Sequence, residues 1–148
     1  MSYQKKEKHD QNAQHVLSMS GNKQKQIKVG ELVLFDKYFI DENISYKNGI
    51  FTFKKSGIYN VNFSIYLENM KMPSADINVN SDSEKFIVSI KGIDDISTAH
   101  SMVIPCSFSR NFIKGENLKL KNVSSGIIYL MPNFNKGIGS IISINKIN

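Results

Sequence analysis

From Tyr59 the chain alternates for nine residues: Tyr59, Val61, Phe63, Ile65 and Leu67 are apolar, while Asn60, Asn62 and Ser64 between them are small and polar. A repeat of two puts all the large side chains on one side of an extended backbone, whereas a helix would scatter them around its axis. One face of this stretch must be buried and the other must tolerate polar groups, which fixes a core-facing β-strand. Phe51 and Phe53 repeat the pattern just upstream, and Lys55-Ser56-Gly57 supplies a polar turn whose glycine tolerates backbone angles other residues resist. Residues 51–67 therefore read as a hairpin of two strands.

The rest of the chain follows the same period. Residues 32–35, LVLF, form an unbroken apolar run compatible with a strand buried on both faces. Residues 39–40 and 44–46 are short strand candidates, and Asn48-Gly49 is the dipeptide favoured by tight hairpins. Beyond Leu67 the pattern dissolves into a long polar loop with a short strand expected at 77–79. Phe86, Val88 and Ile90 alternate again, and Met102, Ile104, Cys106 and Phe108 share one face of a later segment. Pro105 lacks a backbone N–H, so that segment is expected at a sheet edge or a bulge. Lys114-Gly115-Glu116-Asn117 is a turn leading to Leu118 and Leu120, which face inward against Lys119 and Lys121. In the last strand, residues 139–147, Ile142 and Ile144 lie on one face and Ile141 and Ile147 on the other. A strand apolar on both faces needs a second burial partner, and self-association would supply one. With no sustained helical period in the body, the economical architecture is an all-β sandwich of two antiparallel sheets.

Residues 1–28 differ from this body. They are rich in Gln, Lys, Asn and Ser, with too few large apolar residues to offset ordering entropy, and read as a flexible arm in which one helical turn around 13–19 is conceivable. Residues 29–148 then form the domain. Of the net charge of +6, this arm carries +4, from six lysines against Glu7 and Asp10. Of the nineteen basic residues only Arg110 is arginine, the usual reader of bases and phosphates. The excess charge thus reads as a solvated tail, and no nucleic-acid partner is expected. No run approaches the roughly 18 apolar residues of a membrane span. The first residues lack the apolar core of a secretory signal, so the chain is expected to stay inside, or to reach a surface by a route that needs none.

Taken together, Phe51 and Phe53 before Gly57-x-Tyr59, the late Gly115-Glu116-x-Leu118 turn, and the apolar strand at 141–147 resemble the tumour-necrosis-factor and complement-q jelly-roll superfamily. Within it the nearest likeness is to the C-terminal domain of bacterial collagen-like exosporium glycoproteins, although no Gly-X-Y stalk is present. The resemblance spans residues 32–148. It implies a ten-strand-type jelly roll assembled as a homotrimer with its inner sheet against the threefold axis. Ile142, Ile144, Leu118, Leu120, Tyr59 and Phe63 are then the candidate trimer contacts, and a structural or adhesive surface module, on a spore or another extracellular surface, is the expected role. The alternatives are a carbohydrate- or receptor-binding module, such as a phage fibre tip, and a cytoplasmic location.

Sites for chemistry are sparse. His100 near Asp94 and Asp95 matches no metal motif, and His9 and His15 read as solvated. Cys106 with His100 as base would be the sole nucleophile pair, but its strand neighbours make it a small core thiol. No enzyme and no cofactor is expected. Calcium at Asp76, Asp82, Asp94 and Asp95 would require their oxygens to converge. The sequons at Asn43, Asn62 and Asn122 matter only in a glycosylating pathway.

Overall fold

The computed structural model of the chain describes residues 15–20, 24–39, 42–68, 72–92, 102–131 and 139–148. Twelve strands are found there and no helix: β1 (His15–Ser20), β2 (Gln26–Ile27), β3 (Lys37–Phe39), β4 (Ile44–Lys47), β5 (Ile50–Phe53), β6 (Gly57–Leu67), β7 (Ser74–Ser81), β8 (Lys85–Lys91), β9 (Met102–Phe112), β10 (Asn117–Asn122), β11 (Ile128–Tyr129) and β12 (Ser140–Lys146). Two five-stranded antiparallel sheets hold ten of them, in the orders β3-β1-β12-β6-β9 and β4-β5-β10-β7-β8, and β2 pairs with β11 separately. The chain crosses repeatedly between the sheets: β4 and β5 lie in the second, β6 in the first, β7 and β8 in the second, β9 in the first. This is the jelly-roll sandwich.

Each sheet turns one face inward because its strands carry the repeat of two. Tyr59, Val61, Phe63, Ile65 and Leu67 of β6, Ile142 and Ile144 of β12, and Ile104 of β9 are buried from one side. Ala75, Ile77 and Val79 of β7, Leu118 and Leu120 of β10, and Phe51 and Phe53 of β5 meet them from the other. Burying such a side chain contributes about 1.5–3 kcal/mol, and these residues form one continuous core.

Residues 51–67 are not a hairpin. β5 pairs with β4 and β10, whereas β6 pairs with β12 and β9, so the polar turn is a corner between sheets. The repeat of two reports which face is buried and is blind to whether two strands lie side by side or face to face. Here they face: Phe53 packs on Tyr59 with centroids 4.7 Å apart and stacks on Phe112 at 4.0 Å. The corner is tied by the Tyr59 hydroxyl, which donates to the Lys55 carbonyl at 2.8 Å.

Other expectations held locally. Asn48 and Gly49 both have positive φ, 49° and 88°, and close the two-residue β4–β5 hairpin. β9, with Pro105 in it, is an edge strand. The stretch read as a loop with a short strand at 77–79 is instead the full strand β7, paired with β8 and β10. Its polar residues Asp76, Asn78 and Asn80 occupy the outward, half-buried positions, and Asn, Asp and Ser at alternate positions give a strand the composition of a loop. In the 32–35 run Val33 and Phe35 are buried but Leu34 is 40% exposed, so only one face is covered.

The segment expected as an arm contributes two strands. β1 pairs with β12 and β3, and β2 with β11, so the sandwich extends upstream of residue 29 and residues 15–20 are extended, not helical. Backbone pairing requires no particular side chain, which is why a polar composition concealed it.

Candidate functional site

The six candidate trimer contacts, Ile142, Ile144, Leu118, Leu120, Tyr59 and Phe63, are all buried within one chain. They point between the two sheets and leave almost no side-chain surface for a neighbouring copy. The outward positions of the same strands are different residues. On β6, β9 and β12 these include Asn62, Ser64, Tyr66, Pro105, Ser107, Ile141 and Ser143, which line a shallow depression of about 520 Å³ on the outer face of the first sheet. Of the apolar outer face read for the last strand, Ile141 is half-buried there and Ile147 lies past the end of β12.

Two polar pairs on this face satisfy one another. Ser107 and Asn62 are direct cross-strand partners, as are Ser109 and Asn60. In both pairs the serine hydroxyl donates to the asparagine Oδ1, at 2.5 Å in the first. Pairing of this kind lowers the cost of covering the face, because fewer polar groups must give up water.

On the inner side of β9 the sandwich is left partly open. Phe86, Val88 and Ile90 of β8 and Cys106 and Phe108 of β9 face the core but stay half-buried, because these are the edge strands of the two sheets. Phe86 and Phe108 close part of this seam edge-to-face at 5.2 Å. Cys106 sits opposite Phe63, and burial pushes its thiol above its ordinary value, which disfavours the thiolate a nucleophile needs. His100, Asp94 and Asp95 lie outside the described residues.

At the end of this seam Arg110 is occupied by structure. Its guanidinium pairs with Glu84 at 2.9 Å and Glu116 at 3.6 Å, donates to the Ser81 and Ser83 hydroxyls, and lies 5.2 Å from the Phe112 ring centroid. Glu116, almost fully buried, also accepts from Ser83 Oγ at 2.5 Å and the Ile113 amide at 3.0 Å. Burial alone would raise this carboxyl's pKa. The Ser83 hydroxyl, the Ile113 amide and the Arg110 charge outweigh it and hold the group below its ordinary value. The Gly115-Glu116 turn also abuts the β5–β6 corner: Gly115 N–H donates to Phe53 O and Lys114 N–H to Ser56 Oγ. Two of the three sequence patterns that carried the family resemblance thus buttress one another at one end of the sandwich.

Of the carboxylates considered for calcium, the two among the described residues, Asp76 and Asp82, lie apart. Asp76 lies mid-strand and accepts from Ser74 and Ser89; Asp82 lies in the β7–β8 turn and accepts from the Asn117 amide. Six residues of extended chain set them roughly 20 Å apart, too far to share an ion. Among the described residues no three His, Cys, Asp or Glu side chains form a metal-binding group. Of the sequon asparagines, Asn43 and Asn122 are buried, and Asn62 is exposed on the outer face.

A second concavity, unforeseen in the sequence, lies at the opposite margin. It has a volume of about 740 Å³ and is lined by residues 24–26, 31, 34–36, 38 and 46–48. Gln24 organises its floor: Nε2 donates to the Leu32 carbonyl at 2.9 Å and Oε1 accepts from the Leu34 amide at 2.8 Å, so a side-chain amide pairs as a strand backbone would. The Phe35 amide donates to the Tyr46 hydroxyl at 2.8 Å. Tyr46 packs on Phe51 and Tyr38, with centroids 4.7 and 5.2 Å away. Composition concealed Gln24, since a glutamine in a polar stretch reads as solvated.

The sequence matches no protein-family model and no curated protein. Solved structures share its fold. The globular domain of zebrafish complement 1qA superposes with a TM-score of 0.61 at 15% identity, covering 90% of this chain and 94% of that one. Murine APRIL gives 0.65 at 11% identity, covering 90% and 98%. Eiger TNF from S. frugiperda gives 0.61 at 13%, covering 90% and 92%. Strand order and these likenesses define the fold as a jelly roll of the tumour-necrosis-factor and complement-q type.

Proposed function

We propose that this chain is a non-enzymatic, homotrimeric jelly-roll head that serves as a structural or adhesive surface module. The observation that carries the reading is the pair of incomplete surfaces on the two sides of β9. One is the half-buried apolar seam of Phe86, Val88, Ile90 and Phe108; the other is the depression on the outer face with Tyr66 and Ile141 in it. A seam on one copy set into the depression of the next is a heterologous contact, and such contacts form closed rings when the rotation closes. Three copies is the number the family resemblance implies. The Asn-Ser pairs across β6 and β9 make the outer face easier to cover, and the assembly would complete the burial that the edge strands leave unfinished.

A position on a bacterial spore, or on another extracellular surface, belongs to the same proposal and rests on the likeness to exosporium glycoproteins. Antibody labelling of intact spores or cells tests it, and labelling confined to the cytoplasmic fraction would overturn it. The assembly is tested by mass in solution together with Ile141→Lys and Val88→Lys. Each is expected to give folded monomers, because a charge on either surface meets the same contact from opposite sides. If both variants keep the wild-type mass, the contact is elsewhere.

A further inference from the structure

We propose that the groove beside β3 and β4 binds a neutral oligosaccharide; this goes beyond the assembly proposed above and does not depend on it. Its size falls within the range of about 300–1,000 Å³ typical of ligand clefts, at about 740 Å³. Tyr38 is 47% exposed, yet its ring is positioned against Tyr46. An aromatic surface held in place and left uncovered offers apolar contact at little further cost in side-chain freedom. Leu34, 40% exposed, extends that surface. The floor beneath is braced by Gln24 and by the Tyr46 hydroxyl.

The rim decides among ligand classes. It carries Lys25 and Lys47 against Glu31 and Asp36, so its formal charges cancel, and Gln26 and Asn48 add amides. A phosphate or other polyanion would meet the two carboxylates, and a polycation the two lysines. A wholly apolar ligand would strip water from six polar side chains and return nothing. A saccharide suits both parts: its C–H face packs on the tyrosine ring, and each hydroxyl both donates and accepts, matching a rim that offers both.

The test is titration of the purified full chain with a panel of neutral gluco-, galacto-, manno- and N-acetylhexosamine oligosaccharides, beside sialylated and sulfated glycans and inorganic phosphate, read by amide NMR shifts. At least one neutral oligosaccharide is expected to bind saturably and to shift residues of the 24–26 and 46–48 segments. Tyr38→Ala is expected to weaken it about tenfold or more, a loss of ~1.4 kcal/mol, while Tyr38→Phe, which keeps the ring, stays near wild type. Leu34→Ser provides the same comparison should Tyr38→Ala fail to fold. Absence of neutral-glycan binding up to about 10 mM, about tenfold above a millimolar Kd, would overturn the proposal. So would binding confined to charged glycans or phosphate, or neutral-glycan binding indifferent to both truncations.

Discussion

Replacing Asn122 by alanine removes three hydrogen bonds at the junction of β10 with β2. The Asn122 amide donates to the Ile27 carbonyl at 2.8 Å and the Gly126 carbonyl at 3.1 Å, and its Oδ1 accepts from the Ser124 N–H at 2.9 Å. The side chain is fully buried, so no water stands ready to replace it. A buried backbone group left without a partner costs about 1–3 kcal/mol. Two of the three bonds are buried and the third partly so, which gives a loss of roughly 3–5 kcal/mol. For a chain of this length each kcal/mol lowers Tm by about 2–4 °C, so the expected drop is about 6–20 °C. Asn122→Asp is the sharper variant, because it keeps the volume but turns an oxygen toward the Ile27 or Gly126 carbonyl. It should destabilise at least as much at neutral pH. The assay is thermal unfolding by circular dichroism at matched protein concentration, with Lys54→Ala, at an exposed turn position, as the control, expected to lose less than about 1 kcal/mol. An Asn122→Asp variant as stable as the control would refute the assignment of Asn122 as the tie between β10 and β2.

Three further outcomes follow from the same geometry. Glu116→Gln should lower stability at neutral pH, and because the folded carboxyl titrates below its ordinary value, the wild-type advantage holds above the unfolded pKa of about 4.3 and is lost as pH falls through the depressed folded value; a difference that instead grows on acidification would show the direction to be wrong. Gly57→Ala puts a Cβ 2.5 Å from the Asn148 carbonyl oxygen at a residue with φ of 159°, and should cost about 1–3 kcal/mol in urea unfolding, whereas an unchanged midpoint would mean that the corner yields freely. In a glycosylating host, peptide mass spectrometry of the folded protein should find Asn122 unmodified, since its side chain is enclosed; full occupancy there would contradict the buried position.

What could be read beforehand was mostly which face of a strand is buried. The alternation through Tyr59, Phe63 and Leu67 located one inner face, Asn48-Gly49 located a hairpin, and Pro105 located an edge, because each reflects a local constraint of backbone or solvent. Pairing is not local. Phe53 and Tyr59 belong to opposite sheets, and nothing in a repeat of two separates strands that neighbour each other from strands that face each other. The same blindness misplaced Ile142 and Ile144, whose greasy side chains fill the chain's own core, while plainer residues such as Ser143 and Asn62 occupy the outer face. β1 and β7 were concealed for a related reason, since backbone pairing organises polar stretches as readily as apolar ones. The groove was illegible because Gln24, Leu34, Tyr38 and Tyr46 come together only when the chain folds back.

The two surfaces flanking β9 decide whether the chain assembles, and the mass of the purified chain in solution at micromolar concentration measures that. Three copies of a 16.8 kDa chain closed into a ring form an assembly of about 50 kDa, which is the mass expected by light scattering. A folded protein that stays at the mass of one chain across that concentration range would contradict it.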